Sequence, residues 1–265
     1  MAKTPLDVHV HISDDGTWFG TGLKPTPDNL LREMDAAGVG RSVILPTFGN
    51  CSNETVARAV ALHPDRFIGF CTVDVHDADK ALDAMRRARE AQGLRGMKIH
   101  PRLQAFDPNA PALDPIYELA AEYRWPIIFD TYLQSRTTPL HLLEPFQYDR
   151  LARRHPGMTI IMSHGGGHRY MDACFCARSN PNVYMDLCYT TAMFSSLAHR
   201  MEDFRFIYAT LDQKTLFASD WPECSMREAM DAFRALTEGL EREKRDNILH
   251  LNMDRILSAG EEAGA

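Results

Sequence analysis

The sequence predicts an α/β fold: a distorted (β/α)8 barrel forming a single domain over residues 1–265, with a doubly wound open sheet as the alternative. Three observations carry this expectation. Eight short apolar runs alternate with longer amphipathic ones, the pattern of parallel βαβ units. The length, 265 residues, suits one such barrel, since these run to about 250 residues as single units. The polar residues His9, His11, Cys51, Asp74, Lys98, His100, Asp130, His164, Asp186 and Asp220 follow the apolar runs, at the strand ends where a barrel builds its chemistry.

Leu6–Val10 reads as the first strand. Leu6, Val8 and Val10 alternate with Asp7, His9 and His11, so a period of two points both histidines the same way, to the inside if this strand opens a barrel. A Gly/Pro-rich loop with Trp18 and Phe19 follows. Thr26-Pro27-Asp28 starts a helix, because Thr caps well and Pro is favoured at the first helical position; Gly38 ends it. Ser42–Pro46 is strand two, Ser52 caps a helix to about Leu62, and His63-Pro64-Asp65-Arg66 turns into strand three, Phe67–Val73. A helix over Asp77–Ala91 leads to strand four, Gly96–His100. A helix around Asp114–Tyr123 leads to strand five, Pro126–Asp130. A helix within Leu140–His155 precedes strand six, Met158–Ser163, and another precedes strand seven, Val183–Leu187. Helices around Ala192–Leu211 precede strand eight, Leu216–Ser219, and helical segments Met226–Leu240 and Arg242–Ser258 close the chain.

Composition narrows the function. The chain is 45% hydrophobic and 25% charged with a formal net charge of −7, which offers no basic footprint for a nucleic-acid partner. No apolar run reaches the roughly 18 residues of a membrane helix, and the opening Met-Ala-Lys-Thr-Pro-Leu-Asp lacks a signal-peptide apolar core, so a cytoplasmic location is expected. The six cysteines lie among apolar neighbours and read as reduced thiols. Cys174 and Cys176 would project about 200° apart on a helix and read as structural.

The strand-end residues form a nitrogen and oxygen donor set. Two imidazoles on one face can hold one divalent ion or one anionic group; the plainer reading is two hydrogen-bonded polar residues at a strand end. Imidazole with carboxylate suits Zn2+, Mn2+ or Fe2+, and such an ion lowers the pKa of its water toward 7. Asp220 can be both ligand and acceptor of that water's proton. His164 precedes Gly165-Gly166-Gly167, which let a substrate approach the backbone closely. Lys98 and His100 share a strand face. Arg102, Arg136 and Arg169 follow strands four, five and six, and guanidinium forks suit a small anionic substrate. Tyr132, His168, Tyr189 and Trp221 are candidate pocket walls.

Six segments in order resemble the amidohydrolase-related family (the amidohydrolase 2 type) of the metal-dependent amidohydrolase superfamily: Asp7-Val8-His9-Val10-His11; His63-Pro64-Asp65-Arg66-Phe67; Gly96-Met97-Lys98-Ile99-His100-Pro101; Ser163-His164-Gly165-Gly166; Ala218-Ser219-Asp220-Trp221-Pro222; and Asn247 through Leu257. The resemblance implies metal ligands at His9, His11 and Asp220, with His164 as the strand-six acid/base. Lys98, a carbamylated bridge in distant relatives, is expected here, with His100, Arg102, Arg136, Arg169 and Trp221, to meet substrate. The departure is Asp130, where the family usually has a ligand histidine. As a fourth ligand Asp130 would harden the site, shifting preference from Zn2+ toward Mn2+ or Mg2+. It equally fits a site without metal, as in some lactone-opening relatives.

The leading expectation is thus a hydrolase with one divalent ion, Zn or Mn, opening an ester, lactone or amide of a small carboxylated compound, with Asp220 and His164 catalytic. The alternatives are a nonoxidative decarboxylase of the same family, a metal-independent lactonase, and a non-catalytic binding protein on a decayed barrel. The short loop from Ser13 to Pro25 favours hydrolysis, because decarboxylases of this family tend to carry an insertion there. The resemblance also implies a homodimer.

Overall fold

A computed structural model describes residues 4–262. Its strands are β1 (Leu6–Val10), β2 (Arg41–Ile44), β3 (Phe67–Gly69), β4 (Met97–Ile99), β5 (Pro126–Asp130), β6 (Thr159–Ser163), β7 (Val183–Asp186) and β8 (Thr215–Leu216), joined by helices. They pair in parallel as β1-β2-β3 and as β4-β5-β6-β7-β8. Backbone hydrogen bonds close the two sheets into one barrel. Cys71 N donates to Gly96 O at 2.9 Å and Lys98 N to Cys71 O at 2.7 Å; on the other side Val8 N donates to Phe217 O at 3.0 Å and His11 N to Trp221 O at 2.8 Å. The barrel is the predicted architecture, and the open sheet is not.

The caps form as the residues dictate. Thr26 accepts from Asn29 N and Ser52 from Thr55 N, while Gly38 takes the left-handed φ of 72° that ends its helix. β3 and β8 are shorter than the apolar runs suggested. At β8 the reason is visible: Ser219 N donates to the Asp7 carboxylate at 3.1 Å, so a side chain replaces a ladder carbonyl. The closing helix expected over Arg242–Ser258 is broken by a π turn at Asn247–Leu251. That turn lets Ile248 O accept from Phe217 N at 3.0 Å and ties the last helix beneath the barrel.

Two packed layers separate the faces of each strand. Val43, Leu45, Ile68, Phe70, Ile128 and Ile161 belong to the inner cluster with Met253, Ile256 and Leu257 of the last helix. Ile44, Phe67, Met97, Ile99, Ile127, Phe129, Ile160 and Met162 pack outward against the helices. β1 corrects the expectation of simple alternation. Leu6 and Val8 are in the inner cluster, but Val10 and Ile12 are in the outer one. The pairing of β1 with β2 shifts register between Asp7 and Val10. This irregularity changes the strand's parity, so His9 and His11 face inward even though Leu6 and Val8 do too. Without it, period two would turn both histidines toward the helices.

All six cysteines are free thiols, Cys224 alone of them only partly buried. Among the described residues no helix is long and apolar enough to cross a membrane.

Candidate metal and active site

His9 Nε2 and His11 Nε2 lie 3.2 Å apart, and Asp220 Oδ1 lies 3.4 Å from each. The three side chains are nearly inaccessible. His11 Nδ1 donates to Leu45 O at 2.7 Å. That bond fixes the ring's tautomer and leaves Nε2 with a lone pair directed at the other two donors. Metal–donor bonds of about 2.0–2.2 Å place tetrahedral ligands about 3.4 Å apart. The triangle therefore has the size of one face of a divalent ion's coordination shell, and its convergent lone pairs suit a cation.

The local backbone aims these groups. Asp7 Oδ1 accepts from His9 N at 3.0 Å and Ser219 N at 3.1 Å, bridging the β1 irregularity to the segment that carries Asp220. Asp220 and His164 adopt left-handed φ values of 68° and 61°, uncommon for residues with a side chain and typical of positions held by their surroundings. Gly166 and Gly167 also lie at positive φ. A side chain on Gly166 would meet Pro145 Cγ at 2.7 Å, so the glycines here allow the chain to turn tightly under its neighbours.

His9, His11, His100, Arg102, Asp130, His164 and Asp220 line one cavity of about 290 Å³ with Trp18, Phe19, Thr47, Leu103 and Glu223. Asp130 has partners of its own. Its Oδ2 accepts from Arg102 Nε, its Oδ1 accepts from Tyr132 N at 3.1 Å, and Oδ1 faces His164 Nε2 at 3.4 Å. Lys98 is wholly buried beneath the cavity, donating to Ser163 Oγ at 2.9 Å with its Nζ 3.5 Å from His9 Nε2. It supports the floor and does not line the cavity. Arg169 is engaged by Glu144 and Asp172, Arg136 is exposed on the loop after β5, and Trp221 packs in the core; none of the three lines the cavity. His168 is exposed outside it.

Sequence reasoning did not single out Trp18, Glu223 or Cys188 as site residues. Trp18 stacks on His11 with ring centroids 5.1 Å apart and donates its indole N–H to Glu223, so the short loop after β1 is pinned across the site to the segment after β8. Cys188 faces His9 and His164 from below. Its signal was parity: it stands two residues after Asp186, which already ended an inward-facing strand position.

Burial governs the charges. It holds the His9 imidazole well below its ordinary range, with Lys98 and His11 adding to the effect, and it does the same at His100 with Lys98. Both rings are thus neutral. Burial also lowers Lys98 against the pull of Asp130, Asp186, Cys188 and Asp220. It pushes Asp7 up to about 7 despite the hydrogen bonds from Ser219 and His9. At Asp130 burial alone would raise the carboxyl, but Arg102, His164, His100 and Lys98 outweigh it and hold it below the usual carboxylate range.

A closed (β/α)8 barrel with imidazoles and a carboxylate converging at its C-terminal mouth defines a class: enzymes of the metal-dependent amidohydrolase fold. A family model described as amidohydrolase matches residues 6–258. The chain belongs to that family. It is 22% identical over 230 residues to a gamma-resorcylate decarboxylase of Rhodococcus jostii, covering 69% of each chain. An uncharacterised TIM-barrel protein of Bordetella bronchiseptica superposes with a TM-score of 0.82 at 22% identity, covering 98% of this chain and 99% of that one. A dihydroxybenzoic acid decarboxylase of Polaromonas, solved with manganese and the inhibitor 2-nitroresorcinol, superposes with a TM-score of 0.73 at 16% identity, covering 96% of each. At these identities the structural likeness shows the fold.

Proposed function

We propose that the protein is a metal-dependent, nonoxidative decarboxylase of a small planar carboxylate, with the ion held by His9, His11 and Asp220. The observation that carries the metal is the triangle of donor atoms at 3.2, 3.4 and 3.4 Å with the His11 tautomer fixed by Leu45. Decarboxylation is favoured over hydrolysis by the named relatives. The bound ion would supply a Lewis-acidic anchor for substrate oxygens.

The chain's own groups do the rest. Arg102, fixed by Asp130 and standing over the Tyr132 ring at 5.5 Å, presents its remaining N–H groups to a substrate anion. Tyr132 and Tyr189, which do not line this cavity, pack edge-to-face beside His164, with centroid separations of 5.6 Å between the tyrosines and 5.9 Å from Tyr132 to His164. Trp18 lines the cavity, stacked over His11. The flat indole and imidazole faces in the lining suit a flat ring or diene. Loss of CO2 leaves a carbanion that takes up one proton. His164 is placed to deliver it: its ring faces Asp130 Oδ1 at 3.4 Å and Asp220 Oδ2 at 4.0 Å, so two carboxylates orient it, and solvent replaces the proton it gives up.

The second reading is hydrolysis of an ester or lactone of a similar compound, with Asp220 taking the proton of water. The brevity of the loop pinned by Trp18 supports it. Purified protein reconstituted with Mn2+ is assayed for CO2 release from dihydroxybenzoates and other carboxylated phenols, and for ring opening of carboxylated lactones. CO2 release that depends on metal and on His164 supports the first reading. Ring opening without CO2 release would replace it with the second.

A further inference from the structure

At the inner end of the site a thiol faces two imidazoles. Cys188 Sγ lies 3.3 Å from His9 Nδ1 and 3.3 Å from His164 Nδ1, with all three side chains buried. Asp186 Oδ2, also buried, stands 3.6 Å from the same His9 nitrogen. Asp220 Oδ2 is 4.0 Å from His164 Nδ1. One donor atom from each of His9, His164, Cys188 and Asp220 falls within 4.8 Å of the others. Zinc bonds of about 2.3 Å to sulfur and 2.0–2.1 Å to nitrogen give a tetrahedral S···N edge of about 3.5 Å. The two observed edges reach that value with movements of a few tenths of an ångström.

These are not the atoms that form the triangle with His11. His9 offers Nε2 to the outer group and Nδ1 to the inner one; Asp220 offers Oδ1 to the outer group and Oδ2 to the inner one. The donor sets also differ in kind. The outer set is two nitrogens and an oxygen. The inner set adds a sulfur, which selects soft or borderline ions such as Cd2+ and Zn2+ over Mn2+ and Mg2+.

We propose that Cys188, His9 and His164 form a second cation site, selective for thiophilic divalent ions, on the inner side of the proposed catalytic centre. Binding displaces the thiol proton and any proton carried on the two Nδ1 atoms into the buffer, with no change of oxidation state. Because His9 and Asp220 serve both groups, an ion in the inner site competes with use of the outer one. The buried Asp186 carboxylate balances the added charge. The site does not depend on which bond the enzyme breaks.

The test is titration of the metal-free full chain with Co2+ and, separately, Cd2+. It reads the thiolate-to-metal charge-transfer absorption in the near ultraviolet while bound metal is quantified in parallel. The expected result is a thiolate band in the wild type and in His11→Ala, and its loss in Cys188→Ser. His164→Gln is expected to weaken Cd2+ binding at least tenfold, and it supplies the decision should Cys188→Ser fail to fold. Metal bound without a thiolate band, a band unchanged in Cys188→Ser or His164→Gln, or no ion retained by the wild type would each overturn the proposal. A protein that shows the band yet turns over no carboxylate keeps this site and loses the proposed reaction.

Discussion

Asp130 is held by Arg102: the guanidinium Nε donates to Oδ2, and the carboxylate is 1% exposed while the arginine is 29% exposed. Asp130 is thereby occupied as the counter-ion of a cavity-lining arginine. Removing the arginine leaves a buried charge without its partner. Arg102→Ala is expected to lose stability on the order of 3–5 kcal/mol, measured by urea denaturation, and to raise KM for the carboxylate. An unchanged midpoint would show that Asp130 does not need this pair.

The same pair sets a pH dependence. Arg102 holds the folded-state carboxyl of Asp130 below its ordinary value of 3.8. Its stabilisation is therefore fully present above that value and is lost as pH falls through the folded-state pKa. Thermal melts taken on acidification below about pH 4 should fall more steeply for the wild type than for Asp130→Asn, which starts less stable at neutral pH. Parallel slopes for the two proteins would remove Asp130 as the titrating group.

Asp7 holds the irregularity that turns His9 inward, accepting from His9 N and Ser219 N at 3.0 and 3.1 Å. In Asp7→Ala both buried N–H groups lose their acceptor, at roughly 1–3 kcal/mol each. Calorimetry should record that loss, and Mn2+ affinity should fall with it because His9 and Asp220 lose their common brace. Full metal affinity in a destabilised Asp7→Ala would separate the brace from the site.

Trp18 covers His11 and is tied to Glu223 across the mouth. Trp18→Ala should raise KM several-fold more than it lowers kcat, because a wall of the cavity is removed while the proton-handling groups stay in place. Steady-state kinetics decide; a loss confined to kcat would mean that Trp18 acts on the chemistry.

Much of this was legible in the chain. The barrel followed from the alternation of apolar runs, and His9, His11, His164 and Asp220 were legible as strand-end residues, because barrel polarity gathers strand ends at one mouth. The β1 irregularity was not legible: Leu6, Val8 and Val10 alternate cleanly in sequence, and only the register against Arg41 and Ile44 reveals the change of face. The employment of Asp130 by Arg102, of Lys98 by Ser163 and of Arg169 by Glu144 and Asp172 was equally hidden, since ion pairing among long side chains depends on distances across strands and loops. The π turn at Asn247–Leu251 was masked by a continuous helical pattern, and the partner of its Ile248 carbonyl is Phe217, some 30 residues earlier in sequence.

The central claim is that His9, His11 and Asp220 hold the ion while Asp130 serves Arg102. Elemental analysis of protein purified without chelator and reconstituted with Mn2+ tests it most directly, on the wild type, Asp130→Asn and Asp220→Asn. Near-stoichiometric metal in the wild type and in Asp130→Asn, with loss in Asp220→Asn, is the predicted result. Equal loss in Asp130→Asn and Asp220→Asn would make Asp130 a ligand, and no metal in the wild type would contradict the account outright.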